Sequence, residues 1–153
     1  GMAGYTIDQY DAALPECVLE LMPKKLFINI GSNDLNKPGD TIGNLILKYR
    51  KLLQRIQAAL PECKITVLAY YPCRKAQPGD PIFAGNIVRT MENVNLANEK
   101  VQELAEELGF SFLNLNAPLM DENGYLRAEY AVDQLHFSPA GYAEILPLLE
   151  PLL

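Results

Sequence analysis

Apolar residues in this chain fall into short β-favouring runs that alternate with longer segments of helical periodicity. Three such runs, bounded by Gly, Pro or Asn, predict buried strands at residues 26–30, 65–71 and 110–115. Apolar spacing of three and four residues predicts helices at residues 8–21, 42–60 and 87–108. A last helix is expected after Ser138, which suits an N-cap, with Pro139 in its first position. Strands separated by helices indicate an α/β fold with a parallel sheet covered on both faces.

The composition narrows the class of protein and of ligand. A chain of 153 residues with no linker, repeat or low-complexity segment fits a single domain over residues 1–153. The net charge of −6 argues against nucleic acid and against an anionic membrane surface, and no stretch is long enough for a membrane span. Three cysteines without C-x-x-C spacing suggest neither a disulfide framework nor a zinc site. We therefore expect no metal and no organic cofactor, and a cytoplasmic location by default.

Polar residues follow the first predicted strand, at the sheet edge where open parallel sheets bind ligands. Gly31 permits a sharp turn off the strand, after which Asn33 can aim its side-chain amide at an oxyanion. The alternative is an ordinary Asx-type turn, since Gly, Ser, Asn and Asp are all turn residues. A long irregular stretch, residues 72–86, is either a substrate-facing loop or a solvated insertion.

A second turn, Gly4-Tyr5-Thr6, precedes the first predicted helix. Thr6 and Gln9 have capping-box spacing. Because backbone N–H groups at a helix start are unpaired, Gly4 could donate one to an oxyanion and let a substrate approach closely. A simple helix cap explains the same residues.

The segment Asp133-Gln134-Leu135-His136 contains the single histidine of the chain. Histidine is the side chain whose ordinary pKa lies near neutrality, so His136 is the natural candidate for a general base. A carboxylate three residues earlier can hold one ring nitrogen and leave the other free to take a proton. A D-x-x-H string also arises by chance, so it carries little weight alone.

Three motifs occur in one order: a G-Y-T turn before a helix, a strand ending in G-S-N-D-L, and D-x-x-H followed by F-S-P-A-G-Y. Together they resemble the SGNH (GDSL-like) hydrolases. The resemblance implies a three-layer α/β/α flavodoxin-like fold and hydrolysis of carboxylic esters by a serine nucleophile. It implies that Gly4 and Asn33 form the oxyanion hole and that Asp133 orients the general base His136.

The family's first block, a G-D-S strand end that supplies the nucleophile, has no counterpart in this chain. The chain has three serines. Ser32 belongs to the turn that places Asn33, Ser111 lies within a predicted strand, and Ser138 suits a helix cap, so no nucleophile is assigned. Cys73 could attack in principle, although an inert thiol explains it better. We therefore expect an N-terminally incomplete domain that lacks its first central strand.

The absent strand would pair with the strand that begins at Leu26 and ends at Ile30. Its loss leaves an apolar edge, which is a template for pairing with another chain. We therefore expect a homo-oligomer through this edge, or a missing N-terminal segment that completes the sheet and leaves the cellular location open. Two functions remain: a serine-type hydrolase of small acyl or acetyl esters with a small-molecule substrate, or a catalytically incomplete binding or assembly module.

Overall fold

Three short parallel strands form the centre of the protein, whose computed structural model describes residues 4–37, 39–80 and 89–153. Each predicted strand is present, and each ends sooner at its carboxyl end than its apolar pattern suggests. The register pairs Ile28 with Val67 and Leu68 with Leu113. The strands, in spatial order, are β1 (Lys25–Ile28), β2 (Lys64–Leu68) and β3 (Ser111–Leu113).

Helices flank this sheet and supply most of the core. The apolar stripes of the two longest helices meet over the strands, with Tyr49 and Val101 fully buried between them. A smaller apolar cluster contains Ile145 of the last helix and Phe137. The predicted α/β class, with a parallel sheet between helices, is confirmed. The helices are α1 (Ile7–Leu14), α2 (Ser32–Leu35), α3 (Ile42–Ala59), α4 (Met91–Glu107) and α5 (Pro139–Leu149).

Asparagine side chains take over hydrogen bonding where the strands end. Asn29 Nδ2 donates to the carbonyl of Ala69 at 2.8 Å. Asn98 accepts from the Tyr70 amide at 2.7 Å and donates to its carbonyl at 3.0 Å, and Asn116 Nδ2 donates to the same carbonyl at 2.9 Å. Ala69 N still donates to the carbonyl of Leu113 at 2.9 Å, but the carbonyl of Ala69 and both backbone groups of Tyr70 are satisfied by these side chains, so ladder pairing ends there.

The outer edge of β1 carries no further strand among the described residues. Lys25 Nζ donates to the carbonyls of Leu152 and Leu153 at 3.0 and 2.7 Å, which places the end of the chain beside this strand. On α5, Tyr142 and Leu146 are 60% and 52% exposed. The three strands therefore fit a truncated sheet, as predicted, with apolar surface left open around it.

The first helix is shorter than predicted, because Pro15 ends its regular part. The α-helix stops at Leu14, and residues Pro15–Leu19 form a wider π-type turn. Proline has no N–H to donate to the carbonyl of Asp11 four residues earlier. That carbonyl instead accepts from Arg55 Nη1 of α3 at 2.7 Å. The interruption thus provides a tie between α1 and α3.

The helix predicted for residues 87–108 begins at Met91, with Thr90 as its N-cap. The Thr90 hydroxyl accepts from Asn93 N at 3.3 Å, which fixes the start, and residues 87–88 lie outside the described part of the chain. Of the irregular stretch at residues 72–86, residues 72–80 are described and contain neither helix nor strand. Within the described chain, no helix combines the length and apolar character needed to cross a bilayer.

Candidate active site

Asp133 and His136 are in direct contact. Asp133 Oδ2 lies 2.8 Å from His136 Nδ1, while Oδ1 accepts from the amides of Leu135 at 2.7 Å and His136 at 2.8 Å. Both carboxylate oxygens are therefore held within one turn of chain. This arrangement fixes the ring orientation and directs Nε2 away from the carboxylate.

These contacts also set the charge of Asp133. Partial burial would raise the pKa of its carboxyl, but the hydrogen bonds from Leu135 N and from the side chain and amide of His136 outweigh it. The pKa of Asp133 is therefore held below its ordinary value. The carboxylate is ionised at neutral pH and can stabilise an imidazolium on His136.

The loop that carries this pair is anchored by its flanks. Val132 N donates to the carbonyl of His136 at 2.9 Å, and Ala131 forms an antiparallel bridge with Phe137. The ring of Phe137 packs against Tyr71 with centroids 4.8 Å apart. The loop backbone is thus held against the core while the His136 side chain is 77% exposed. Among the described residues, Nε2 has no hydrogen-bond partner.

Gly31 sits where β1 leads into α2, and two features of the fold require glycine there. Its φ of +115° lies in the region that side chains disfavour, and a Cβ would come within 2.5 Å of the Tyr70 hydroxyl oxygen. That hydroxyl donates to the carbonyl of Ile30 at 2.8 Å. The turn can therefore pass close to Tyr70 and present Asn33 at the strand end.

The structure brings the Gly4 turn and Asn33 together. Asn33 Nδ2 donates to the carbonyl of Tyr5 at 2.9 Å. One residue later, Asp34 Oδ2 accepts from the amide of Ile7, at the start of α1, also at 2.9 Å. The second N–H of Asn33 Nδ2 and the amide of Gly4 have no acceptor among the described residues. Both predicted oxyanion donors therefore lie at one joined turn, and the predicted capping box is also present.

Two pairs of site residues, Gly4 with Asn33 and Asp133 with His136, do not contact each other directly in the described chain. Arg89 connects the turn of the first pair to the loop of the second. The Arg89 amide donates to Asn36 Oδ1 at 3.3 Å, at the end of α2. Its Nη2 donates to the carbonyl of Leu135 at 3.4 Å, next to His136. The two halves of the candidate site are thus linked through one residue, by its backbone amide on one side and its side chain on the other.

Comparison with known families identifies the fold to which this site belongs. The sequence profile of the GDSL-like lipase/acylhydrolase family matches residues 1–144. This chain belongs to the GDSL-like lipase/acylhydrolase family. The family's description places it among hydrolases of esters in general.

Solved structures agree with the family assignment. A proposed platelet activating factor from Streptococcus pneumonia has a TM-score of 0.81 at 24% identity, over 97% of this chain and 68% of that chain. A GDSL-like lipase from Bacteroides thetaiotaomicron has a TM-score of 0.81 at 21% identity, over 99% and 72%. A catalytic mutant of an acetylxylan esterase from Geobacillus stearothermophilus has a TM-score of 0.74 at 20% identity, over 98% and 68%. At these identities the likeness establishes the fold, and a comparison with curated proteins gave no match.

The serines of this GDSL-like chain do not contact His136 in the described structure. Ser138 Oγ donates to the carbonyl of Glu129 at 3.1 Å and accepts from Gly141 N at 3.4 Å, as a helix cap does. Ser111 opens β3, at the end of the sheet opposite the candidate site. Ser32 is the first residue of α2, beside Asn33.

Cys73 is a poor substitute for a serine nucleophile. The residue is 3% exposed, and burial raises the pKa of its thiol although Arg89 opposes the shift. A thiol with a raised pKa is protonated at neutral pH, whereas attack requires the thiolate.

Two residues that organise this GDSL-like site have no clear sequence signal. Asp34 looks like a turn residue, yet its side chain is 1% exposed and joins the turn after β1 to the start of α1. Arg89 lies at the edge of a helical pattern, yet it is 9% exposed and bridges the site. The one available signal for Asp34 is that a carboxylate next to a buried strand end needs a donor.

Proposed function

We propose that this chain provides the general base and the oxyanion hole of a serine-type hydrolase of carboxylic esters with small acyl groups, such as acetyl. His136 takes the proton of the attacking hydroxyl and returns it to the leaving alcohol, and Asp133 orients the ring. Asn33 and Gly4 donate N–H groups to the oxyanion of the tetrahedral intermediate.

The observation that carries this proposal is the 2.8 Å contact between His136 Nδ1 and Asp133 Oδ2. It leaves Nε2 as the proton acceptor, and the lowered pKa of Asp133 keeps the carboxylate charged to stabilise the protonated ring. Family membership supports ester chemistry, and the acetylxylan esterase among the structural neighbours suggests acetyl esters as the first substrates to test.

The oxyanion donors are supported by their joint fixation. The hydrogen bond from Asn33 to Tyr5 orients the amide, and the bond from Ile7 to Asp34 holds the start of α1 against the same turn. A preorganised donor is worth about 3–4 kcal/mol of transition-state stabilisation. Such a value requires donors that do not reorganise during the reaction, and these contacts support that requirement.

We propose that the serine nucleophile comes from polypeptide outside these 153 residues. None of the serines present contacts His136 in the described structure, and the His136 side chain is 77% exposed, whereas esterase sites exclude water. A strand added to the free edge of β1 would bring a residue at its carboxyl end to the same side of the sheet as Asn33. A second copy of these 153 residues would pair with the edge without supplying the serine, so we propose that the strand belongs to a longer form of this polypeptide.

Hydrolysis of p-nitrophenyl acetate tests the proposal. The 153-residue chain should show background turnover that His136→Ala leaves unchanged. A chain extended by the residues encoded in frame upstream, with a G-D-S strand, should hydrolyse the ester and lose about 10³-fold or more with His136→Ala. An extended chain that carries this strand and stays inactive would reject the proposal.

A catalytically incomplete binding or assembly module is the second candidate. The exposure of His136, and the absence of any serine contact with it in the described part of the chain, favour this candidate. The DNA sequence upstream of this chain distinguishes the hydrolase from the binding or assembly module. A gene without a G-D-S strand before this chain leaves the base without a nucleophile in the same polypeptide.

A further inference from the structure

A cationic cavity lies beside the loop that carries His136. Its volume is about 260 Å³, and its wall includes Arg74, Lys75, Arg89 and Gln134. Arg74 N donates to the carbonyl of Gln134 at 2.9 Å, and Arg89 Nη2 reaches the carbonyl of the next residue. The cavity is therefore built against the backbone that positions the proposed general base.

The charge of Arg89 has no counterion among the residues that the structure describes. Its side chain is buried, with the residue 9% exposed, and it forms no ion pair among the described residues. Residues 81–88, which precede it and lie outside the described part, contain no Asp or Glu. Arg89 Nε is buried without an acceptor, and the contact of Nη2 with Leu135 is long at 3.4 Å. A buried guanidinium is normally paired with an anion, so we expect Arg89 to bind an anionic group of a ligand.

The surrounding groups add to the positive potential. Asp80 neutralises Arg74 through contacts of 2.9 and 3.0 Å to Nη2, but Lys75 has no ion pair among the described residues. Burial raises the pKa of the Cys73 thiol, which also lines the cavity and remains neutral. The N-terminus of the 17-residue helix α4 opens on the same cavity at Thr90.

Gln134 supplies a second unsatisfied group in this wall. The residue is 3% exposed, and its Oε1 is buried without a hydrogen-bond partner. This oxygen is an acceptor and calls for a hydrogen-bond donor, so within this wall the buried Arg89 Nε is the unpaired group that calls for an anion.

We propose that this cavity binds a carboxylate, so that the enzyme acts on esters whose acyl or alcohol part carries a negative charge. The assignment of this carboxylate to a substrate rests on the proposed ester hydrolysis. The cavity volume fits a short acid, and the planar guanidinium of Arg89 matches the two oxygens of a carboxylate.

Two esters of similar size provide the test. Monomethyl succinate carries a carboxylate, and dimethyl succinate does not. Each is titrated into the 153-residue protein at constant ionic strength, and backbone amide shifts are followed by ¹H–¹⁵N NMR. We expect saturable binding of monomethyl succinate in the millimolar range, with shifts at Thr90 and Gln134, and at least about tenfold weaker binding of dimethyl succinate. Equal affinity for the two esters, or shifts confined to other residues, would overturn the proposal.

Three variants test which charged side chains bind the carboxylate. Arg89→Gln should weaken binding of monomethyl succinate about tenfold or more, because it removes the buried charge. Asp80→Asn should tighten binding about two- to threefold, because it frees Arg74. Lys51→Gln, at an exposed lysine of α3 outside the cavity, is the matched control and should change nothing.

The outcomes separate this inference from the proposed function. If Arg89→Gln fails to fold, the affinity for monomethyl succinate is measured in Arg89→Lys and Asp80→Asn instead. An unchanged affinity in Asp80→Asn would contradict the charge argument. Binding is read without hydrolysis, so absence of binding rejects the carboxylate site alone. Absence of p-nitrophenyl acetate hydrolysis in the extended chain rejects the esterase and the assignment of the carboxylate to an ester substrate, whereas binding of the carboxylate in the cavity is unaffected by that result.

Discussion

Replacing Asp34 by asparagine should destabilise the protein much more than the same change at Asp8, although both carboxylates approach Lys48. Asp8 Oδ2 lies 3.0 Å from Lys48 Nζ and Asp34 Oδ1 lies 3.6 Å from it. Distance alone ranks Asp8 first. Burial reverses the order, because the Asp34 side chain is 1% exposed and that of Asp8 is 66% exposed.

The magnitudes follow from this difference. An exposed ion pair contributes less than about 1 kcal/mol, which bounds the cost of Asp8→Asn. Asp34 also accepts from the amide of Ile7, and a hydrogen bond to a buried charge contributes about 1.5–3 kcal/mol. Asp34→Asn retains an acceptor and should cost about 2 kcal/mol. Asp34→Ala leaves the amide of Ile7 unpaired as well and should cost about 3–4 kcal/mol.

Urea unfolding followed by circular dichroism measures these free energies of unfolding. For a domain of this size, a cost of 3 kcal/mol also lowers Tm by roughly 6–12 °C. Amide hydrogen exchange at Ile7 should accelerate in both Asp34 variants and remain unchanged in Asp8→Asn. Costs for Asp34→Asn and Asp8→Asn that agree within about 0.5 kcal/mol would refute the burial argument.

Three further predictions concern the turn, the loop and the sheet edge. Gly31→Ala should cost about 1–3 kcal/mol more stability than Gly109→Ala, as measured by urea unfolding. Both glycines have a positive φ, but only a Cβ at Gly31 would meet Tyr70. Equal costs would contradict the effect of this contact. The pKa of Asp133 is lowered, so its loop contacts are complete above about pH 4 and are lost as pH falls through that lowered pKa. In an NMR titration that follows the carboxyl carbon of Asp133 itself, a midpoint at or above about pH 4 would contradict this sign. Light scattering should give a mass above 17.0 kDa if the edge of β1 pairs between copies, whereas a monomer at all concentrations would exclude that association.

Local patterns made the elements and the contact between Asp133 and His136 predictable. Apolar periodicity located the strands and helices because burial of one face repeats every two or about four residues. The contact between Asp133 and His136 spans three residues, and the capping box of Thr6 and Gln9 does as well, so one turn of chain suffices for each. Boundaries were less predictable: α1 ended at Leu14 and α4 began at Met91, where a proline and a threonine cap intervened.

The links between motifs were decided by the tertiary structure. The hydrogen bond between Ile7 and Asp34 spans 27 residues, and the contact of Arg89 with Leu135 spans 46. Neither residue type nor spacing indicates such a partner, since each bond depends on how the chain path brings two turns together. The sequence alone determined which residues could act as base and as oxyanion donors. The tertiary structure, through Asp34 and Arg89, decided how the turns that carry those residues are held, because parallel strands bring their carboxyl ends to one edge of the sheet.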